Sequence, residues 1–139
     1  MLLQKTYSVD YAHRLMNHKG LCKNLHGHTG VVEVFLSGEV QDNGMIVDFG
    51  ELLWLRNIVC RLDHAVILQR EDPLLTILRS HEETNSFRVV GFCQGPPTAE
   101  NIVLYLKEEI NLFIKEKVLV DLTLEKIRFA ETPGNVVEG

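Results

Sequence analysis

In the run Cys22-Lys23-Asn24-Leu25-His26-Gly27-His28-Thr29-Gly30-Val31-Val32-Glu33-Val34-Phe35-Leu36-Ser37-Gly38, a polar start gives way to alternation from His26 onward. His28, Val32, Val34 and Leu36 fall on one face, and Val31, Glu33, Phe35 and Ser37 on the other. That period of two is the signature of a long β-strand. In such a strand His26 and His28 point the same way, about 6.6 Å apart along it. Two imidazoles so placed can converge on one metal ion.

Upstream, residues 2–13 alternate more loosely, with Tyr7, Val9 and Tyr11 on one face, and read as a partner strand ending at His13. Three histidines leave one tetrahedral position open, as in a catalytic zinc site. A lone histidine is more often a hydrogen-bonded core or surface residue than a ligand, so spacing leaves both readings open. Cys22 is then either a fourth ligand or a group free for chemistry.

Residues 14–25 read as a loop, and Asp42-Asn43-Gly44 as a turn in which Asn and Gly accept positive φ. Asp48 with Glu51 gives a capping-box-like start to a helix running to about Leu62. Residues 69–86 read as a polar loop with one short helical turn near Leu74–Arg79. Residues 87–93 read as a short strand, stopped by Gly95-Pro96-Pro97. Thr98 caps a second helix whose apolar face runs from Ile102 to Ile114. A last strand spans about 120–131, and its parity slips between Leu124 and Ile127, which suggests a bulge. The order is β-β-α-β-α-β, an α+β pattern in one domain, residues 1–139.

Composition excludes several classes of function. The 139 residues are 45% hydrophobic and 24% charged, an ordinary globular balance. A net charge of −5 without basic clusters argues against nucleic-acid binding. No apolar run reaches the length of a membrane span, and the N-terminus has no signal-peptide pattern. The three cysteines, Cys22, Cys60 and Cys93, form an odd set without Cys-x-x-Cys, which points to a reducing cytoplasm.

Asp63-His64 follows the first helix. In a turn the carboxylate could fix the imidazole tautomer; otherwise these are a helix-terminal Asp and His. Glu131 shares parity with Ile127 and Phe129. It is either an exposed strand-end glutamate or a receptor for the paired N–H groups of an amidine-like edge, such as a guanidine or a pterin. Glu100 suits the first turn of the second helix. Cys60 and Cys93 read as small core residues.

Together these motifs resemble the 6-pyruvoyltetrahydropterin synthase / 6-carboxytetrahydropterin synthase family. The resemblance rests on Ala12-His13-Arg14, Cys22-x-x-x-His26-Gly27-His28, Ile46-Val47-Asp48-Phe49 with Glu51-Leu52, Leu62-Asp63-His64, Pro97-Thr98-Ala99-Glu100-Asn101 and Glu131-Thr132. It implies that His13, His26 and His28 bind Zn2+. Cys22, Asp63 and His64 would form the catalytic relay, and Glu131, with Thr132 beside it, would anchor the pterin. It implies the tunnelling fold (T-fold), a four-stranded antiparallel sheet with two helices on one face. It further implies ring-type homo-oligomers, possible hexamers among them, with active sites where subunits meet.

The three-residue gap between Cys22 and His26 resembles the bacterial 6-carboxy enzymes of queuosine biosynthesis. These convert 7,8-dihydroneopterin triphosphate and water to 6-carboxy-5,6,7,8-tetrahydropterin, acetaldehyde and triphosphate. Arg14, Lys19 and Lys23 are candidate triphosphate contacts. The short loop from His13 to Cys22, the absence of Asn in Ala65-Val66-Ile67-Leu68-Gln69, the length of residues 70–96 and the early end after Glu131 depart from the pattern. Three alternatives are the pyruvoyl enzyme, a member acting on another pterin, and a non-catalytic zinc-stabilised binding domain with Cys22 as fourth ligand.

Overall fold

The computed structural model describes residues 1–81, 88–118 and 120–139. Its first hairpin joins β1 (Leu2–His13) to β2 (His26–Gly38) in antiparallel register along their whole length, from Leu2 opposite Ser37 to His13 opposite His26. β3 (Ala65–Gln69) and β4 (Val89–Phe92) extend the sheet beyond β1 in parallel, and β5 (Leu122–Thr132) and β6 (Asn135–Glu138) extend it beyond β2 in antiparallel. The order is β4-β3-β1-β2-β5-β6.

The sheet therefore has six strands and is mixed, where four antiparallel strands were expected. β3 escaped the alternation test because both its faces are covered: Ala65, Ile67 and Leu68 are buried, and a strand packed on both sides reads as a continuous apolar run. β6 is an exposed edge strand of four residues, too short to show a period. The strand expected over 87–93 begins at residue 87, outside the described residues; β4 occupies Val89–Phe92.

Three helices stand among the described residues: α1 (Leu53–Val59), α2 (Pro73–Arg79) and α3 (Ala99–Lys117). The helix expected from Phe49 opens instead as a 3-10 turn, Phe49–Leu52. Asp48 accepts from the Gly50 amide at 2.6 Å, so the capping box with Glu51 does not form. Thr98 caps α3, accepting from Asn101 N–H.

α1 and α3 pack on the face carrying Val9, Val32, Val34 and Phe129, with Leu55, Val59, Leu106 and Ile110 closing the core. α2 lies on the other face, because its Leu75 clusters with Leu68, whose neighbour Ile67 points into the main core. That third helix, on the opposite side, corrects the expectation of two helices on one face. The parity slip in β5 is a bulge: Phe35 faces Lys126 but Leu36 faces Leu124, leaving Glu125 over.

Candidate active site

The β1–β2 register decides which side chains meet. Tyr11 stands opposite His28 and His13 opposite His26, so alternation puts all four on the helix-covered face at one end of the hairpin. The three imidazoles close into a triangle with ring centroids 4.6, 5.1 and 5.0 Å apart. One donor nitrogen from each lies within 4.8 Å of the others.

Each ring is aimed by the backbone. The carbonyls of Pro97 and Asn24 can only accept, so His13 Nδ1 and His26 Nδ1 donate to them, each at 2.8 Å. That tautomer leaves Nε2 with its lone pair free, which is how a metal-binding imidazole is commonly held. His13 Nε2 and His28 Nε2 are buried without a hydrogen-bond partner among the described residues. An orphaned buried acceptor is costly unless a ligand completes it. Burial, more than the two neighbouring imidazoles, lowers the pKa of His13. The neutral ring so favoured is the form that binds a metal. The donor set therefore fits a divalent cation with imidazole preference, zinc among them.

Glu131 comes from β5. Its Oε1 lies 3.8 Å from His28 Nε2 and its Oε2 3.9 Å from His13 Nε2. Tyr11 donates its hydroxyl to Oε2 at 3.3 Å. Burial first, then the adjacent carboxylate, pushes the Tyr11 pKa up, so the phenol keeps its proton. Thr132 pairs with Asn135 where β5 turns into β6 and is absent from the cavity wall.

A cavity of about 450 Å³ opens beside the cluster, lined by His13, Cys22, Thr98, Glu100, Glu131 and Asn135, among others. Cys22 sits in a 3-10 turn, Leu21–Lys23, whose carbonyl accepts from Leu15 N–H at 2.8 Å. The thiol is half-buried and stands outside the cluster of three donor nitrogens.

Asp63 and His64 are paired, but elsewhere. His64 Nδ1 lies 3.0 Å from Asp63 Oδ2, and Asp63 Oδ1 accepts from Asp10 N–H at 2.8 Å. That amide bond, more than the imidazole, holds the Asp63 carboxyl below the usual carboxylate range. His64 takes the left-handed backbone, φ 52°, and its own amide donates to Asp10 carbonyl at 2.6 Å. His64 borders a second cavity of about 510 Å³, whose wall takes in Asp10, Ala12, Gly27 and Thr29 together with parts of Tyr11 and His28. Asp10 alternates with Tyr11 along β1, and its carboxylate lies within 4.8 Å of the Asp63 carboxylate and a His64 ring nitrogen, so His64 stands on the opposite face of the sheet from the imidazole triangle. Within one chain Cys22 and His64 are not brought together.

Arg14 does not face the cavity as a free cation. Its guanidinium is bidentate to Asp72, a buried carboxylate that also caps α2 through Leu74 N–H. Lys19 and Lys23 are exposed. Tyr11, Asp10 and the Pro97 carbonyl stand at these groups beyond the site residues expected from sequence. Tyr11 was discoverable, since it shares parity with His13, whereas the other two act through backbone groups that carry no residue signature.

A family model described as 6-pyruvoyl tetrahydropterin synthase matches residues 2–139. The 6-carboxy-5,6,7,8-tetrahydropterin synthase of Rickettsia bellii is 35% identical over 134 residues, covering 93% of this chain and 92% of that protein. The Haemophilus influenzae protein of the same description is 33% identical over 149 residues, covering 98% and 96%. The solved 6-pyruvoyl tetrahydropterin synthase of Caenorhabditis elegans shares the fold, with a TM-score of 0.68 at 24% identity, covering 100% of this chain and 94% of that one.

Proposed function

Because the chain belongs to the 6-pyruvoyl tetrahydropterin synthase family, we propose that it is a 6-carboxy-5,6,7,8-tetrahydropterin synthase. It converts 7,8-dihydroneopterin triphosphate and water to 6-carboxytetrahydropterin, acetaldehyde and triphosphate. The observation that carries this reading is the pair of buried Nε2 atoms of His13 and His28, unpartnered among the described residues, completed by His26 and set beside the Cys22–Glu131 cavity.

His13, His26 and His28 would hold zinc, whose chemistry there is to polarise the substrate's side-chain hydroxyls and make their protons easier to remove. Glu131 accepts hydrogen bonds from the N–H edge of the pterin and so fixes which carbon faces Cys22. The Cys22 thiolate takes a proton from that side chain. His64, held in one tautomer by Asp63, handles the opposite proton transfer. It does so from a neighbouring copy, because in its own chain it faces away from the cavity. Lys19 and Lys23 meet the triphosphate, a task for which Arg14 is already committed to Asp72. The setting is a cytoplasmic homo-oligomer; among the described residues no helix is long and apolar enough to cross a membrane.

Cys22 standing apart from the imidazole cluster speaks against a closed four-ligand binding domain. Product analysis separates the two synthase chemistries. Incubation with dihydroneopterin triphosphate is expected to release acetaldehyde and a product with the mass of 6-carboxytetrahydropterin. A pyruvoyl product without acetaldehyde overturns the assignment in favour of the pyruvoyl enzyme.

A further inference from the structure

We propose that Tyr11 is a positioning residue that holds the Glu131 carboxylate in the plane required by the pterin, and thereby sets substrate affinity. The proposal rests on the reading of Glu131 as the pterin anchor. Tyr11 is 5% exposed and wedged among the groups of the site, its ring 5.2 Å from that of His13, 5.7 Å from His28 and 6.1 Å from Phe129. Its place is built into β2 and β5. Gly30 lacks the Cβ that would come within 2.7 Å of the Phe129 ring and 3.3 Å of Tyr11 Cε1, so both aromatic rings fit against β2.

The phenol then has one destination. Its hydroxyl donates to Glu131 Oε2, and this is the hydrogen bond from a protein donor that the described residues give the carboxylate. A carboxylate oxygen has two acceptor positions, so Oε2 serves Tyr11 and still accepts from a ligand beside Oε1. Paired recognition of two adjacent N–H groups requires both oxygens to lie in the ligand's plane. Without the phenol, the polar neighbours left to the carboxylate among the described residues are two imidazole nitrogens 3.8 and 3.9 Å away.

The test uses Tyr11→Phe, Glu131→Gln and the double variant in the zinc-loaded enzyme, with neopterin as the binding probe. Tyr11→Phe is expected to raise the neopterin Kd and the substrate KM about tenfold, the scale of one hydrogen bond to a charged group, with kcat within about twofold. Metal content per chain stays unchanged. In the Glu131→Gln background, removal of the phenol oxygen changes the Kd no further. Wild-type neopterin affinity in Tyr11→Phe, with weakened binding in Glu131→Gln, overturns the positioning role alone. Wild-type affinity in Glu131→Gln overturns the anchor reading itself. Effects that multiply in the double variant mean the two residues act independently and also overturn the proposal. Should Tyr11→Phe melt early or lose metal, Tyr11→Trp, which keeps a ring and displaces the hydroxyl, is carried through the same cycle and judged by the same outcomes.

Discussion

At the scale of residues, the proposed chemistry turns on the three histidines and on Cys22. His13 Nε2 and His28 Nε2 are buried acceptors with no donor among the described residues, whereas Cys22 sits at the cavity wall outside their cluster. Cys22→Ala should lower kcat by about 10²- to 10⁴-fold while metal content holds at that of the unaltered protein. Parallel steady-state kinetics and metal analysis check this, and loss of metal would make Cys22 a ligand instead. His28→Ala should lose the metal outright. The three histidines were legible in the sequence because strand parity is local: His26 and His28 share a face by counting. Their aim was not legible, since the Pro97 carbonyl that fixes His13 comes from a segment 84 residues away. The Asp63–His64 bond is local too, but it depends on a left-handed φ that residue type did not signal.

At the scale of elements, the end of β1 that carries His13 is fastened by its next residue. Arg14 clamps Asp72, and Asp72 caps α2, so strand and helix share one ion pair. Arg14→Ala leaves a buried carboxylate without its cation and should cost about 2 kcal/mol, less than for a fully buried pair because Arg14 is partly exposed. Urea denaturation measures it. The Arg14 hydrogen bond, with help from Leu74 N–H and against burial, holds the Asp72 pKa below its ordinary value. The folded state therefore binds fewer protons than the unfolded one near the unfolded carboxylate pKa of about 3.9. This stabilisation is complete above that pH and fades as the pH falls through the lower folded value. Unfolding curves from pH 6 to 3 should show that loss in the parent protein and a smaller one in Arg14→Ala. Gly30→Ala should cost about 1–3 kcal/mol, since a new methyl must displace the Phe129 ring. β1, β2, α3 and β5 were legible from period and caps. β3 was hidden by burial on both faces, and β6 by its brevity.

The whole molecule divides the residues of the proposed machinery between the two faces of its sheet. The imidazole triangle and Glu131 lie on the helix-covered face, with Cys22 on the wall of the cavity beside them, and Asp63–His64 cluster with Asp10 on the other. A relay through both requires two copies, so Cys22→Ala and His64→Ala, each strongly impaired alone, should recover activity when co-expressed in mixed oligomers. No recovery in oligomers shown to contain both variants would confine the relay to one chain. If the three histidines hold a catalytic zinc, zinc titration of chelator-stripped protein should show it through the turnover of dihydroneopterin triphosphate. Release of acetaldehyde and 6-carboxytetrahydropterin should rise from nothing and saturate at one zinc per chain. Full turnover by the stripped protein, or none by the zinc-loaded protein, would contradict it.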